Sequence, residues 1–154
     1  MNIIPEGQPA RPLTAAAMTT RAAELSRYHD ALEHAGRRSA AAFDGLFATP
    51  PPGISVHEIL PDKTFTRVSP GHTKLLGYEP RQLVGKPASH FVILQGTSEL
   101  AIARKLSPTA LLLPFTRTWR KADGTEVTLV MVDRHIKDET GHIVGIRTVV
   151  GLMA

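Results

Sequence analysis

Pro50, Pro51 and Pro52, followed by Gly53, divide this chain more firmly than any other feature in it. Each proline fixes φ near about −65° and lacks an N–H, so neither a helix nor an interior strand runs through the block. Upstream, residues 14–48 contain no proline and are dominated by alanine, arginine, glutamate and leucine, the composition of a helix. Downstream, the texture changes to short alternating runs broken by turn residues. Residues 1–13, with three prolines and a glycine, read as a flexible arm. The expected organisation is therefore an arm (1–13), a helix (14–48), an elbow (49–53) and a compact domain (54–154).

Within the helical segment Met18, Leu25, Tyr28, Leu32, Ala35, Ser39, Ala42 and Leu46 recur at spacings of 7, 3, 4, 3, 4, 3 and 4. That alternation is a heptad seam. A straight helix of this length reaches roughly 40–45 Å, too long to pack entirely on one small domain. The expectation is a homodimer formed through Met18, Leu25, Tyr28, Leu32, Ala35, Ala42 and Leu46. The alternative is a helix folded back over its own domain with one amphipathic face.

After the elbow, Ile54–Leu60 and Phe65–Val68 read as a hairpin across Pro61-Asp62-Lys63-Thr64. Short helices follow at Pro70–Leu76 and Pro80–Val84, closed by Gly77 and Gly85 in positions suited to a left-handed C-cap. Residues 97–106 read as a further helix, with Thr97 or Ser98 as N-cap and Glu99 in its first turn. Strands over 113–121, 125–136 and 142–150 are joined by Asp123-Gly124 and Asp138–Gly141. In 125–136 both alternating faces are apolar, which requires a sheet covered on both sides, one of them by a helix or a partner. The order β-β-α-α-α-β-β-β gives an α+β domain with an antiparallel sheet.

Composition removes several classes of function. The chain has no cysteine, hence no disulfide, thiolate metal site or cysteine nucleophile. No window approaches the roughly 20 apolar residues of a bilayer span, and Met1–Pro12 lacks the apolar core of a secretory signal. A cytoplasmic, membrane-free setting is expected. The net charge of +4 is mild, and Arg37-Arg38 and Arg117/Arg120/Lys121 lack the interleaved aromatics of a nucleic-acid face. Gly85-Lys86 has neither the glycine spacing nor the hydroxyl of a phosphate loop. Ser89-His90 and Asp133-Arg134-His135 are adjacent residues rather than a catalytic constellation. We therefore expect no enzymatic activity.

Four segments in order carry a resemblance. Phe65–Pro70, then Leu75-Leu76-Gly77-Tyr78-Glu79-Pro80-Arg81-Gln82-Leu83-Val84-Gly85-Lys86, then Trp119-Arg120-Lys121-Ala122-Asp123-Gly124-Thr125, then Asp138–Gly145, resemble the signature of the PAS family over residues 54–150. The resemblance implies a PAS fold: a five-stranded antiparallel sheet flanked by short helices that wall a ligand cavity, here preceded by a long N-terminal amphipathic helix. Leu94-Gln95-Gly96-Thr97-Ser98-Glu99 is similar to the segment after the photoactive cysteine of flavin-binding LOV domains. The preceding Pro87–Val92 has no sulfur, Thr128 and Val130 replace the flavin-holding amides, and Arg147 stands where a glutamine is usual. Haem-binding relatives carry a histidine on the helix corresponding to 97–106, which has none. No cofactor is expected, haem and flavin being the alternatives.

The candidate cavity wall comprises His90, Phe91, Ile93, Phe115, Arg117, Val130, Val132 and Arg147, with Leu106 beside them; for the apolar members the alternative is a packed core. His72 is the other histidine near the cavity, and for both a capping or solvent-facing role is the simpler reading. His29, His34, His57, His135 and His142 have no metal spacing. Arg117 and Arg147 together offer a cationic site for a carboxylate, unless they face solvent or pair with Asp133 or Glu126. The resulting expectation is a PAS sensory regulator that dimerises and signals to a downstream protein through contact, with a small-molecule ligand in its cavity. The rival is a constitutive PAS scaffold with no ligand. The chain is either a single-domain regulator or a piece of a longer protein.

Overall fold

The computed structural model describes residues 15–93 and 101–153. Helices α1 (Ala15–Arg38) and α2 (Ala40–Phe47) precede strands β1 (Ile54–Ile59) and β2 (Phe65–Val68). Short helices α3 (Gly71–Leu76) and α4 (Pro80–Leu83), a 3-10 turn at Ala88–Phe91 and helical residues 101–105 follow. Strands β3 (Phe115–Arg120), β4 (Glu126–Lys137) and β5 (Ile143–Gly151) close the chain. All pairings are antiparallel, in the order β2-β1-β5-β4-β3. The sheet, its short helices and the long N-terminal helix match the expected architecture. Of the helix expected at 97–106, residues 101–105 are helical, and its N-cap lies outside the described residues.

One device closes three of the turns. Asp62, Asp123 and Asp138 each accept, through Oδ1, both the N–H and the hydroxyl of the threonine two residues on. These Asp-x-Thr turns satisfy backbone donors locally and reverse the chain between β-rich runs. Gly77 ends α3 at φ 82°, in the left-handed conformation that its lack of a Cβ allows.

The expected continuous helix is a helical hairpin. Ser39 is extended (φ −171°, ψ 158°), and its hydroxyl accepts the N–H of Ala42 at 3.0 Å, capping α2. The hairpin is pinned where Tyr28 donates to the Leu46 carbonyl at 2.7 Å. The hairpin's inner side then packs on the protein's own sheet. Ala22, Leu25, Tyr28, Leu32 and Phe47 form one apolar cluster with Ile54, Val56, Val130, Val132 and Val149. Leu25, Tyr28, Leu32 and Ala35 are thus buried within the chain, and Met18, Ala42 and Leu46 are half-buried, the first and last against the same cluster. The seam expected to meet a second copy is spent on the fold itself. The physical reason lies in the sheet: two apolar faces need two covers, and α1 supplies the second. Arg21 fastens the start of this helix, donating to the carbonyls of Leu152 (2.6 Å) and Gly53 (3.1 Å).

Candidate functional site

The other face of the sheet meets α3, α4, the 3-10 turn and residues 101–106. Its apolar core contains Phe65, Leu75, Leu76, Leu83, Phe91, Trp119, Leu129, Met131 and Ile146. Polar groups interrupt this core along one row. In the strand registers His57 of β1 lies opposite Thr148 of β5, which lies opposite Asp133 of β4. Period-two alternation therefore points all three side chains to the same face. All three are buried.

Each end of the row is hydrogen-bonded. Thr148 donates its hydroxyl to Asp133 Oδ1 at 2.6 Å, and Lys105 Nζ meets Asp133 Oδ2 at 2.8 Å. Lys105 also stands 3.5 Å from the centroid of the Phe115 ring, so its charge is held between a carboxylate and a π-face. His135 helps to seat this lysine by donating from Nε2 to the Lys105 carbonyl at 2.7 Å.

At the opposite end His57 Nδ1 and His72 Nε2 are 3.0 Å apart, and His72 Nδ1 bonds the Ser55 hydroxyl. Ser55 Oγ lies 2.5 Å from Ser69 Oγ, which accepts the backbone N–H of Val56 at 3.0 Å. Burial pushes the imidazole of His72 down to about 3. Burial, with His72 and Lys105 adding to it, holds His57 well below the usual range. Both rings are neutral at pH 7, so a single proton joins them and the chain has two consistent directions. With Ser55 donating to His72, His72 donates to His57 and the free proton of His57 is on Nε2. With the chain reversed, Nε2 is an acceptor.

The row borders a small cavity with room for about 40 Å³ of water centres, partly open to solvent. His57, Ser89, Lys105, Arg117, Asp133 and Thr148 supply its polar lining, and Ile59, Val92, Ile102, Phe115, Trp119, Met131 and Ile146 the apolar remainder, together with Ala88. Trp119 is 1% exposed, and its Nε1–H has no acceptor among the described residues. A buried unpaired N–H costs about 1–3 kcal/mol and is rare in a native core.

Of the wall expected from sequence, Phe115 and Arg117 line this cavity. Phe91 is buried one layer away, against Phe65 and Tyr78. Ile93 is half-buried and extends the sheet edge, its N–H donating to the Thr118 carbonyl at 3.0 Å. His90 is exposed. Val130 and Val132 face α1, on the opposite side of the sheet. Arg147 is there too, donating to Glu58 at 2.8 Å, with the Phe43 ring 4.8 Å away. The proposed pairing of Arg117 with Arg147 is thereby excluded, because residues on β3 and β5 share a face only when the register brings them there. His57, His72, Trp119, Lys105, Asp133 and Thr148 were not named as the wall. The alternation His57/Ile59, Met131/Asp133 and Arg117/Trp119 was the available signal. Among the described residues no cluster of histidine and carboxylate groups is able to hold a metal ion.

No protein-family model matches the chain, and no curated protein matches it significantly. Solved structures do. The PAS domain of a protein from Colwellia psychrerythraea superposes with a TM-score of 0.60 at 14% identity, covering 70% of this chain and 90% of that one. The PAS domain of an HTR-like protein from Haloarcula marismortui gives 0.57 at 16% identity over 81% and 97% of the two chains. A PAS-B domain of Drosophila melanogaster Cycle, a tryptophan-to-alanine variant with bound glycerol, gives 0.54 at 13% identity over 63% and 97%. The chain has the PAS fold.

Proposed function

We propose that this protein is a PAS sensory module that holds a small molecule in the cavity beside His57 and Trp119 and reports it through the α1–α2 hairpin to a protein partner. The observation that carries this reading is the set of polar groups built into an apolar core, with a donor, Trp119 Nε1–H, that has no acceptor among the described residues and is left for a ligand. A core that served stability alone gains more from apolar side chains at these positions.

The same strand connects the cavity to the hairpin. Asp133 faces the cavity, while its neighbours on β4 hold α1. The Val132 carbonyl accepts from His29 Nε2 at 2.6 Å, and Arg134 pairs with Asp30 (2.8 Å) and Glu33 (3.0 Å). The Val132 carbonyl and the Asp133 N–H belong to one rigid peptide plane. A ligand that displaces Asp133 therefore tilts the group that His29 grips. The sensor works by binding one of two arrangements of this contact better than the other. Among the described residues no helix is long and apolar enough to cross a membrane.

The second reading is a constitutive interaction scaffold, favoured by the small size of the cavity. The Cycle PAS-B tryptophan-to-alanine variant, for its part, was solved with glycerol bound, a ligand of a few atoms. A thermal-shift screen of small metabolites separates the two readings. A ligand at about 100 times its Kd adds about 2.7 kcal/mol and moves the melting midpoint by several degrees. A scaffold shows no such response to any compound. An absorption spectrum of the purified protein between about 300 and 700 nm is expected to be featureless, and haem or flavin bands would overturn that expectation.

A further inference from the structure

We propose that the cavity is a site for a small monocarboxylate with a short apolar tail, of the size of acetate or propionate. The proposal rests on the ligand-sensing reading above and deepens it.

Charge is the first argument. Among the described residues the cavity lining carries two cations, Lys105 and Arg117, and one anion, Asp133. Lys105 is neutralised by Asp133 at 2.8 Å. Arg117 has no carboxylate partner among the described residues, its guanidinium lying 5.4 Å from the Phe115 ring centroid. Among the described residues one positive charge at the cavity is therefore unbalanced. A monoanion balances it, whereas a dianion is opposed by Asp133.

Hydrogen-bonding capacity is the second. Trp119 stands two residues from Arg117 on the same face of β3 and brings a buried N–H without an acceptor among the described residues. An indole N–H only donates, and a guanidinium only donates. Both ask for an acceptor-only group, which an ionised carboxylate is. The histidine chain adds a third donor on demand. With Nδ1 of His57 engaged by His72, Nε2 is the nitrogen left for the cavity. A carboxylate there selects the direction in which Ser55 donates to His72, His72 to His57, and the proton of His57 faces the ligand.

Size and the apolar lining set the rest of the molecule. By the same measure one water needs about 10–15 Å³, so 40 Å³ admits roughly three to four non-hydrogen atoms, the size of acetate, and the partly open side leaves the further carbon of propionate outside that count. Ile59, Ile102, Met131 and Ile146 surround the remaining space and suit a methyl or ethyl group rather than a second polar end.

The chain has one tryptophan, so its indole N–H gives a single resonance in a proton–nitrogen correlation spectrum. Sodium acetate and sodium propionate are titrated against it at constant ionic strength, with chloride, acetamide and glycerol as controls. The expected result is a saturable downfield shift of that resonance with either carboxylate and none with chloride or acetamide. Arg117→Gln, a half-exposed change on a sheet edge, is expected to keep the melting midpoint of the unliganded protein within a few degrees and to weaken acetate binding roughly tenfold or more. No saturable shift with either carboxylate, an equal response to acetamide, or an unchanged affinity in Arg117→Gln overturns the carboxylate assignment. Saturation by glycerol but not by acetate overturns it while leaving the ligand-sensing reading intact. Silence of all the probes here together with silence of the thermal-shift screen overturns both.

Discussion

Replacing Leu32 with alanine separates the two roles that a heptad-spaced helix has available. Leu25 and Leu32 are both 0% exposed, packed among Val56, Val130, Val132 and Val149 of the protein's own sheet. Removing three buried carbons from such a site costs the transfer free energy of the lost atoms and leaves a void, together about 3 kcal/mol. The double variant Leu25→Ala/Leu32→Ala, one face of two adjacent turns, loses about 5–6 kcal/mol if the sites add, comparable with the whole stability of a small domain. Urea denaturation followed by tryptophan fluorescence reads this directly, because Trp119 lies on the far face of the sheet and reports the domain rather than the helix alone. The midpoint of Leu32→Ala is expected to fall and to be the same at micromolar and hundred-micromolar protein. A wild-type midpoint, or one that rises with concentration while light scattering shows a dimer dissociating, refutes the packing of α1 on its own sheet.

Acid should destabilise the protein through its buried histidines. Burial pushes His29 down to about 4, so as pH falls below about 6.5 the unfolded chain takes up the proton first. Stability is then lost from about pH 6.5 down to about 4, by about 2 kcal/mol for His29 alone at pH 5; His72, down to about 3, extends the window. Equal urea midpoints at pH 7.5 and 5 would contradict neutral burial of these rings. Gly145→Ala brings a Cβ within 2.4 Å of the Ile59 carbonyl oxygen, a clash with backbone that is expected to lose about 2–3 kcal/mol in the same assay. Lys63 occupies φ 71°, a left-handed conformation costly for a residue with a Cβ, and Lys63→Gly is expected to raise the melting midpoint slightly, by about 0.5 kcal/mol of stability. Asp133→Ala strands Lys105 and the Thr148 hydroxyl, and calorimetry should show a loss of about 3 kcal/mol or more.

Local signals settled the elements because their causes are local. The proline block, the Asp-Gly and Asp-x-Thr turns, the left-handed glycines Gly77 and Gly85 that follow α3 and α4, and the alternation of 126–137 each act over a few residues. The break at Ser39 was equally local, a serine three residues before Ala42 in a run of small side chains, yet the heptad spacing passed through it and concealed it. Which way the seam faces was a different kind of question. Leu25 and Leu32 look the same whether they meet a second helix or a sheet, and only the burial of Val130, Val132 and Val149 decides. The cavity wall failed for the same reason. Assigning Val130 and Val132 to it, rather than Met131 and Asp133, required knowing which face α1 covers, and one step along a strand reverses the answer. His57 and His72 are unremarkable singly, fifteen residues and a helix boundary apart, and become a unit only where β1 and α3 meet.

That one-step alternation also keeps the path of the proposed signal physically short. On β4 the side chain of Asp133 belongs to the cavity, the carbonyl of Val132 to His29, and the guanidinium of Arg134 to Asp30, Glu33 and the Ser26 carbonyl. Three successive residues thus address both faces of the sheet. β3 pairs with β4 only as far as Phe115 opposite Met131, so residues 132–134 lie beyond the support of that neighbour on one edge. An edge held by side chains from α1 and by Lys105, rather than by a strand ladder, shifts at lower cost than the paired remainder of the sheet. His29 adds a second softness, since its Nδ1 is a buried acceptor with no donor among the described residues. On the proposed sensory reading, the α1–β4 contact combines a full apolar seal, which keeps the hairpin docked, with polar grips that are incompletely satisfied among the described residues, through which its pose would respond to a ligand in the cavity one residue away.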